Sequence, residues 1–160
     1  MKRIAALQPL SREHHQSLLL AQKAIKTAAS NDSQAIAQLC QAIVHDYEDT
    51  WQVHFKIEED SIFTLIAQKQ LGDNASQEDN ERLMMCKNLC EQLQQEHAKM
   101  NAYYQQMKTG DKSIGVILAA FGHLLKQHTR TEERQLFVLL DEVLSTEELD
   151  MVLQISIDYR

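Results

Sequence analysis

Three long stretches of this chain repeat apolar residues every three or four positions, and that periodicity constrains the fold more than any other feature. In the first of these, Ile36, Cys40, Ile43, Tyr47, Trp51, His54, Glu58, Ile62 and Leu65 fall on one line. The next line is Leu83, Cys86, Cys90, Leu93, His97, Met100, Tyr104 and Met107. The last is Ile114, Leu118, Phe121, Leu125, His128, Glu132, Leu136 and Leu139. A stripe with this spacing is the inward face of a helix in a bundle. One Pro and four Gly in 160 residues leave few places for such helices to stop.

The breaks that do occur look like turns: SNDS at residues 30–33, LGDN at 71–74 and TGD at 109–111. They delimit four long helices. Ser11, just after Pro9, reads as the cap of a first helix running to the SNDS turn. The second helix spans about 34–70, with Gly72 as its C-terminal cap. Ser76 and Asp79 resemble a capping box for the third, which continues to Gly110. The fourth spans about 112–144, and Thr146 with Glu147 and Glu148 caps a short fifth. The predicted fold is all-α: one domain over 1–160, with an antiparallel up-down-up-down four-helix bundle over about 11–144 and a C-terminal helix over about 146–159.

The formal net charge of −7 leaves no basic block to neutralise phosphates, which argues against nucleic acid and anionic membrane surfaces as partners. LLLA at 18–21 is too short to span a bilayer, and the first fifteen residues lack the apolar core of a signal peptide. With an odd count of three cysteines, a cytoplasmic protein with reduced thiols is expected. Cys86 and Cys90 sit on the third helix's stripe and read as packed thiols.

The anomaly lies inside the stripes, which carry His54, Glu58, His97, His128 and Glu132 among aliphatic residues. Residues four apart share a helix face, so His54 projects with Glu58 and His128 with Glu132. HFKIEEDSIFTLI from His54 and HTRTEERQLFVLL from His128 are the same motif written twice. A buried carboxylate without a partner costs several kcal/mol, and no Lys or Arg lies on these rows. A divalent metal, or two, would compensate several imidazoles and two carboxylates at once. Counted from the turns at roughly 1.5 Å per residue, His54, His97 and His128 fall within about 9 Å of one level. His45 and His123 lie off the inward line and are expected at the surface. Glu59 and Glu133 are expected to face outward or to support the ligands.

His54-x-x-x-Glu58, Glu96-His97 and His128-x-x-x-Glu132, with EHHQSLL at 13–19, resemble the hemerythrin-like (HHE cation-binding) domain. The resemblance runs from about residue 9 to 140. It implies two iron ions with an oxo or hydroxo bridge, bridging roles for Glu58 and Glu132, and terminal roles for His54, His97 and His128. On the first helix, the stripe through Leu10, Leu18, Ala21, Ile25 and Ala28 passes through His14. The family's pattern of His followed by apolar residues at +3 and +4 selects His15, and His15 completes the expected set. Two departures stand out: Asn101 where oxygen carriers have a further His, and Glu132 four rather than five residues after its His. The four-His, two-Glu set is similar to the branch containing di-iron repair proteins, whose extra N-terminal cysteine segment has no counterpart here. A ferritin-like site would need Glu-x-x-His, and no His has Glu three residues before it.

The resemblance implies a binding protein more than an enzyme, one that holds or senses oxygen or nitric oxide in a pocket walled by Trp51, Phe55, Phe63 and Phe137, with Tyr103 or Tyr104 as a hydrogen-bond donor. The alternatives are redox or metal handling (iron-centre repair, nitric oxide or peroxide reduction), and a plain cation-binding bundle holding zinc or manganese.

Overall fold

The computed structural model of the chain describes residues 4–110 and 113–160, so the expected start of the fourth helix near residue 112 lies outside the described residues. Those described are overwhelmingly helical, with no strand among them. After a 3-10 turn at Ala5–Leu7 come α1 (Gln8–Ala29), α2 (Ser33–Tyr47), α3 (Trp51–Glu58) and α4 (Thr64–Gln68), then α5 (Gln77–Thr109). The chain ends with α6 (Ile114–Thr131), α7 (Phe137–Val143) and α8 (Thr146–Asp158). α2 and α3 are offset at residues 48–50, where hydrogen bonds from Thr50 N to Asp46 O and from His54 N to Thr50 O carry the helix through.

The ends follow local chemistry, with three differences from the sequence expectation. α1 begins at Gln8 because Pro9 fits the first turn, where its missing N–H costs nothing. Ser11 is therefore inside the helix, and its hydroxyl bonds Glu133 at 2.6 Å. α4 ends when Lys69 turns to an extended ψ of 134°, so Gly72 caps nothing. Gly110, φ 71°, is left-handed and closes α5. α8 is capped by Ser145 rather than Thr146, in a full capping box with Glu148. Asp32 caps α2 and Ser76 caps α5 through the Asp79 N–H, as side-chain chemistry favours.

A fourth difference bears on the site. Between α3 and α4, and again between α6 and α7, the helix widens into a π turn, at Glu59–Phe63 and Glu132–Leu136. They occupy nearly the same place in the repeated motif, the first starting five residues after His54 and the second four after His128. A π turn carries one extra residue and advances the inward face by one position. The predicted stripes continued to Leu65 and Leu139, but the fully buried residues are Ile66 and Leu140.

Packing divides the interior into two apolar clusters. One gathers Leu10, Ile57, Ile62, Ile66, Leu93, Leu136 and Leu140 with Val152 of α8. The other gathers Ala21, Ile43, Tyr47, Met100, Leu118, Phe121 and Leu125. α1 and α6 approach closely at Gly122, where an added Cβ would stand 3.0 Å from Ala21 O, Ala24 Cβ and Ile25 Cγ1. On α1, on α5 and along the run from α6 into α7 the chain passes from one cluster to the other through a single polar layer. No described helix is long and apolar enough to cross a membrane.

Candidate metal centre

The polar layer contains His14, His54, Glu58, His97, His128 and Glu132, each 4% exposed or less. All four imidazoles turn Nε2 toward the middle of the layer. Glu58 Oε1 lies 3.3 Å from His14 Nε2 and 3.1 Å from His54 Nε2, while its Oε2 lies 3.2 Å from His97 Nε2. Glu132 spans the layer in the opposite sense. Its Oε2 is 2.9 Å from His14 Nε2 and its Oε1 is 3.1 Å from His128 Nε2. The donor atoms therefore sort into two groups: His14, His54, Glu58 and Glu132, and Glu58, His97, His128 and Glu132. Both glutamates belong to both groups, with one oxygen in each.

Whether a cation fits is decided by the unpaired atoms. Glu58 Oε2 and both oxygens of Glu132 are buried and make no properly angled hydrogen bond, although imidazole nitrogens stand nearby. In each group the ligand nitrogens and oxygens all lie within 4.8 Å of one another. The Nε2 atoms of His14 and His54 are 3.2 Å apart, and those of His97 and His128 are 3.1 Å apart. Such spacing suits two nitrogens bound to one ion of about 2 Å bond length. Imidazole and carboxylate are donors for iron, zinc or manganese.

Electrostatics agree. Burial works against a charge on Glu58, but His54, His14 and His97 overcome it and hold its carboxyl well below the usual carboxylate range. Burial and Glu58 both oppose ionisation of Glu132, and His128 and His14 still keep its pKa lowered. Burial likewise opposes protonation of His14; Glu132, Glu133 and Glu58 reverse this and raise it well above an ordinary imidazole. For His128 the same balance between burial and Glu132 and Glu96 pushes the pKa up to about 10. The metal-free layer thus keeps protons where a cation would supply the positive charge.

Each imidazole's outer nitrogen, Nδ1, meets a carboxylate from another helix. His54 meets Glu13 of α1 at 3.3 Å, and His97 meets Glu59 at 2.8 Å. His128 meets Glu96 of α5 at 2.9 Å, and His14 meets Glu133 at 2.7 Å. The four contacts form a closed circuit, α1 to α3, the turn after α3 to α5, α5 to α6, and the turn after α6 back to α1. Outer carboxylates of this kind fix the ring orientation and tautomer and raise ligand basicity. Glu59 and Glu133 follow Glu58 and Glu132 directly, so an inward and an outward carboxylate come from adjacent residues where each π turn begins.

The structure corrects one expectation. His15 is exposed, and His14 stands in the layer. Adjacent helical residues point about 100° apart, so only one of the pair faces in. The buried line of α1 is Leu10, His14, Ser17, Ala21 and Ala24, whereas Leu19 is 50% exposed. The other five expected residues are brought together. His45 and His123 are exposed. Sequence reasoning missed the roles of Glu13 and Glu96, although each precedes an inward His in the chain, and that doubling was a usable signal.

The walls are apolar, as expected. Phe55 stacks on His97 at 4.1 Å between ring centres, Phe63 lies on it at 5.6 Å, and Phe137 packs beside His14 at 5.2 Å. Trp51 belongs to the Leu125 cluster. Tyr104 donates to Glu48 at 2.9 Å and stacks on Tyr47, so its hydroxyl points away from the layer. Burial pushes the thiols of Cys40 and Cys86 up to about 11 and that of Cys90 higher still, so all three are packed and protonated at neutral pH. A cavity of about 370 Å³, bordered by Tyr47, Phe55, Lys56, Glu59, His97 and Asn101, opens from the surface onto the His97 side.

A family model described as hemerythrin HHE cation binding domain matches residues 6–140. No curated protein and no solved structure matches the chain.

Proposed function

Because the chain belongs to the hemerythrin HHE cation-binding family, we propose that its centre holds two iron ions and binds or senses oxygen or nitric oxide. The antiparallel four-helix arrangement expected from the sequence belongs to the same reading. One observation carries it: each of Glu58 and Glu132 directs one oxygen to each of two imidazole pairs. That arrangement suits two ions sharing two carboxylates, with His14 and His54 on one and His97 and His128 on the other.

A pair of irons with an oxo or hydroxo bridge would supply reversible binding of a diatomic molecule. The protein's part is to hold, orient and shield. Six side chains would supply the protein ligands. Glu13, Glu59, Glu96 and Glu133 keep each Nδ1–H engaged, so that each Nε2 offers its lone pair inward. Phe55, Phe63 and Phe137 keep water from the centre, which strengthens electrostatics there and slows loss of a bound ligand in charged form. Asn101, at the place of a further ligand in oxygen carriers, borders the cavity beside His97. A small molecule is expected to arrive by that route.

The test is elemental analysis of protein purified without oxygen, with optical spectra before and after exposure to air or nitric oxide. Two irons per chain and near-ultraviolet bands appearing on exposure are expected. One zinc, or two metals whose spectrum ignores both gases, would overturn the gas-binding reading in favour of a plain cation site.

A further inference from the structure

The four outer carboxylates are not held alike. Glu133 accepts a hydrogen bond from Ser11 at 2.6 Å, and Glu96 accepts one from Gln92 at 3.1 Å. Glu13 is instead paired with a guanidinium, that of Arg160, which contacts its Oε1 and leaves Oε2 for His54. Arg160 follows α8 and lies well beyond residue 140, where the family match ends.

The segment carrying it is braced within itself and fastened at one further point. Arg160 Nη1 donates to Ser156 O at 2.6 Å. Tyr159 donates its hydroxyl to Asp60 at 2.6 Å, and Lys56 reaches the same carboxylate at 3.0 Å. Asp60 is two residues after Glu58, within the first π turn. The C-terminal segment is therefore clipped to the π turn that directly follows Glu58 and, through Glu13, to α1.

We propose that Arg160 is a positioning residue of the metal centre: by holding Glu13 it fixes the ring of His54 and sets how firmly one of the two ions is retained. This rests on the two-ion reading above. Among the four outer contacts, Glu13 to His54 is the longest at 3.3 Å, and the Glu13 side chain is 29% exposed. The guanidinium holds the far oxygen of that carboxylate, which restricts the side chain making the longest of the four contacts. The ion pair itself is about a third exposed on both sides, so its direct contribution to stability is small. Its effect is expected on metal retention.

The test uses the full chain loaded with ferrous iron without oxygen, and follows iron transfer to an excess of a chromophoric chelator. Removing an outer carboxylate typically weakens metal binding about 10–100-fold, so loosening one should act near the lower end. Arg160→Gln should release one ion per chain about tenfold faster and leave the other within about twofold of the parent rate. Arg160→Lys should recover most of the difference. Glu13→Gln should reproduce the fast phase, and the double variant should be no faster than Glu13→Gln alone, because both act through one contact. Tyr159→Phe keeps Arg160 while removing the Asp60 bond, and should leave both phases unchanged.

Unchanged release in Arg160→Gln, equal acceleration of both ions, or additive effects in the double variant would each overturn the proposal. Glu13→Gln decides independently should Arg160→Gln fold poorly: parental kinetics there would end it too. A parent chain binding two ions with insensitive variants defeats only this inference. A parent chain binding fewer than two defeats the two-ion reading and this inference with it.

Discussion

Leu125 and His128 lie one turn apart on the same face of α6, and each is 1% exposed, yet different forces keep them there. Around Leu125 are Leu118, Phe121 and Met100, a layer stabilised by removing roughly 25 cal/mol for each Å² of apolar surface from water. Around His128 are three imidazoles and two carboxylates, for which burial is a cost. The apolar layer needs volume and shape; the polar layer needs a cation. One layer supplies stability, and the other spends part of it on a site.

Breaking the polar layer should give the largest effect. Glu58→Ala removes an oxygen from both groups, so the chain should lose both ions while its far-ultraviolet circular dichroism stays helical. Metal analysis that still finds two ions would mean the layer is not the site. Leu125→Ala should do the converse. It should cost about 2–5 kcal/mol in denaturant unfolding and leave two ions per folded chain. Equal metal content in the two variants would erase the distinction between the layers.

The outer circuit should respond more weakly. Glu59→Gln removes a charged acceptor from His97 Nδ1 and should weaken metal binding by about 10–100-fold without changing the melting temperature of the metal-free protein much. The same substitution at Glu91, exposed on α5, should do nothing measurable by metal titration.

Acidity separates the layers as well. In metal-free protein the raised pKa of His128 contributes stability that is full below the ordinary imidazole value of 6.5 and is lost as pH rises through about 10. The lowered pKa values of Glu58 and Glu132 act oppositely: their contribution is present above the ordinary 4.5 and lost as pH falls through the depressed values. Metal-free melting temperature should therefore peak between these limits. Uptake of metal at neutral pH should release protons, measurable with a weakly buffered indicator dye. Uptake with no proton release would contradict imidazoles held charged before binding. Smallest of all, His15→Ala should leave metal stoichiometry unchanged, whereas His14→Ala should lower it.

Much of this was legible because helical periodicity is a local property. Ile36, Ile43, Leu93 and Leu118 were placed inward by spacing alone, and all four are buried. His54, Glu58, His97, His128 and Glu132 stood out because they interrupt those same stripes, and the structure brings them together. Leu65 and Leu139 were misplaced because a π turn changes the period partway along a helix, and composition carries no mark of it. At His14 and His15 two local rules disagreed. The stripe rule matched the fold because the buried face of α1 is set by its packing against α6 near Gly122.

The sequence by itself determined the helical class and the inward placement of His54, Glu58, His97, His128 and Glu132, because each depends on neighbours a few positions away. Its doubled motif was enough to point to a metal. Only the tertiary structure decided which oxygen faces which imidazole, that Glu13, Glu59, Glu96 and Glu133 brace their rings across helices, and that Arg160 reaches Glu13 from the far end of the chain. Those relations join residues from about 30 to well over 100 positions apart. Packing of whole helices sets such distances, and no periodicity within one helix encodes them.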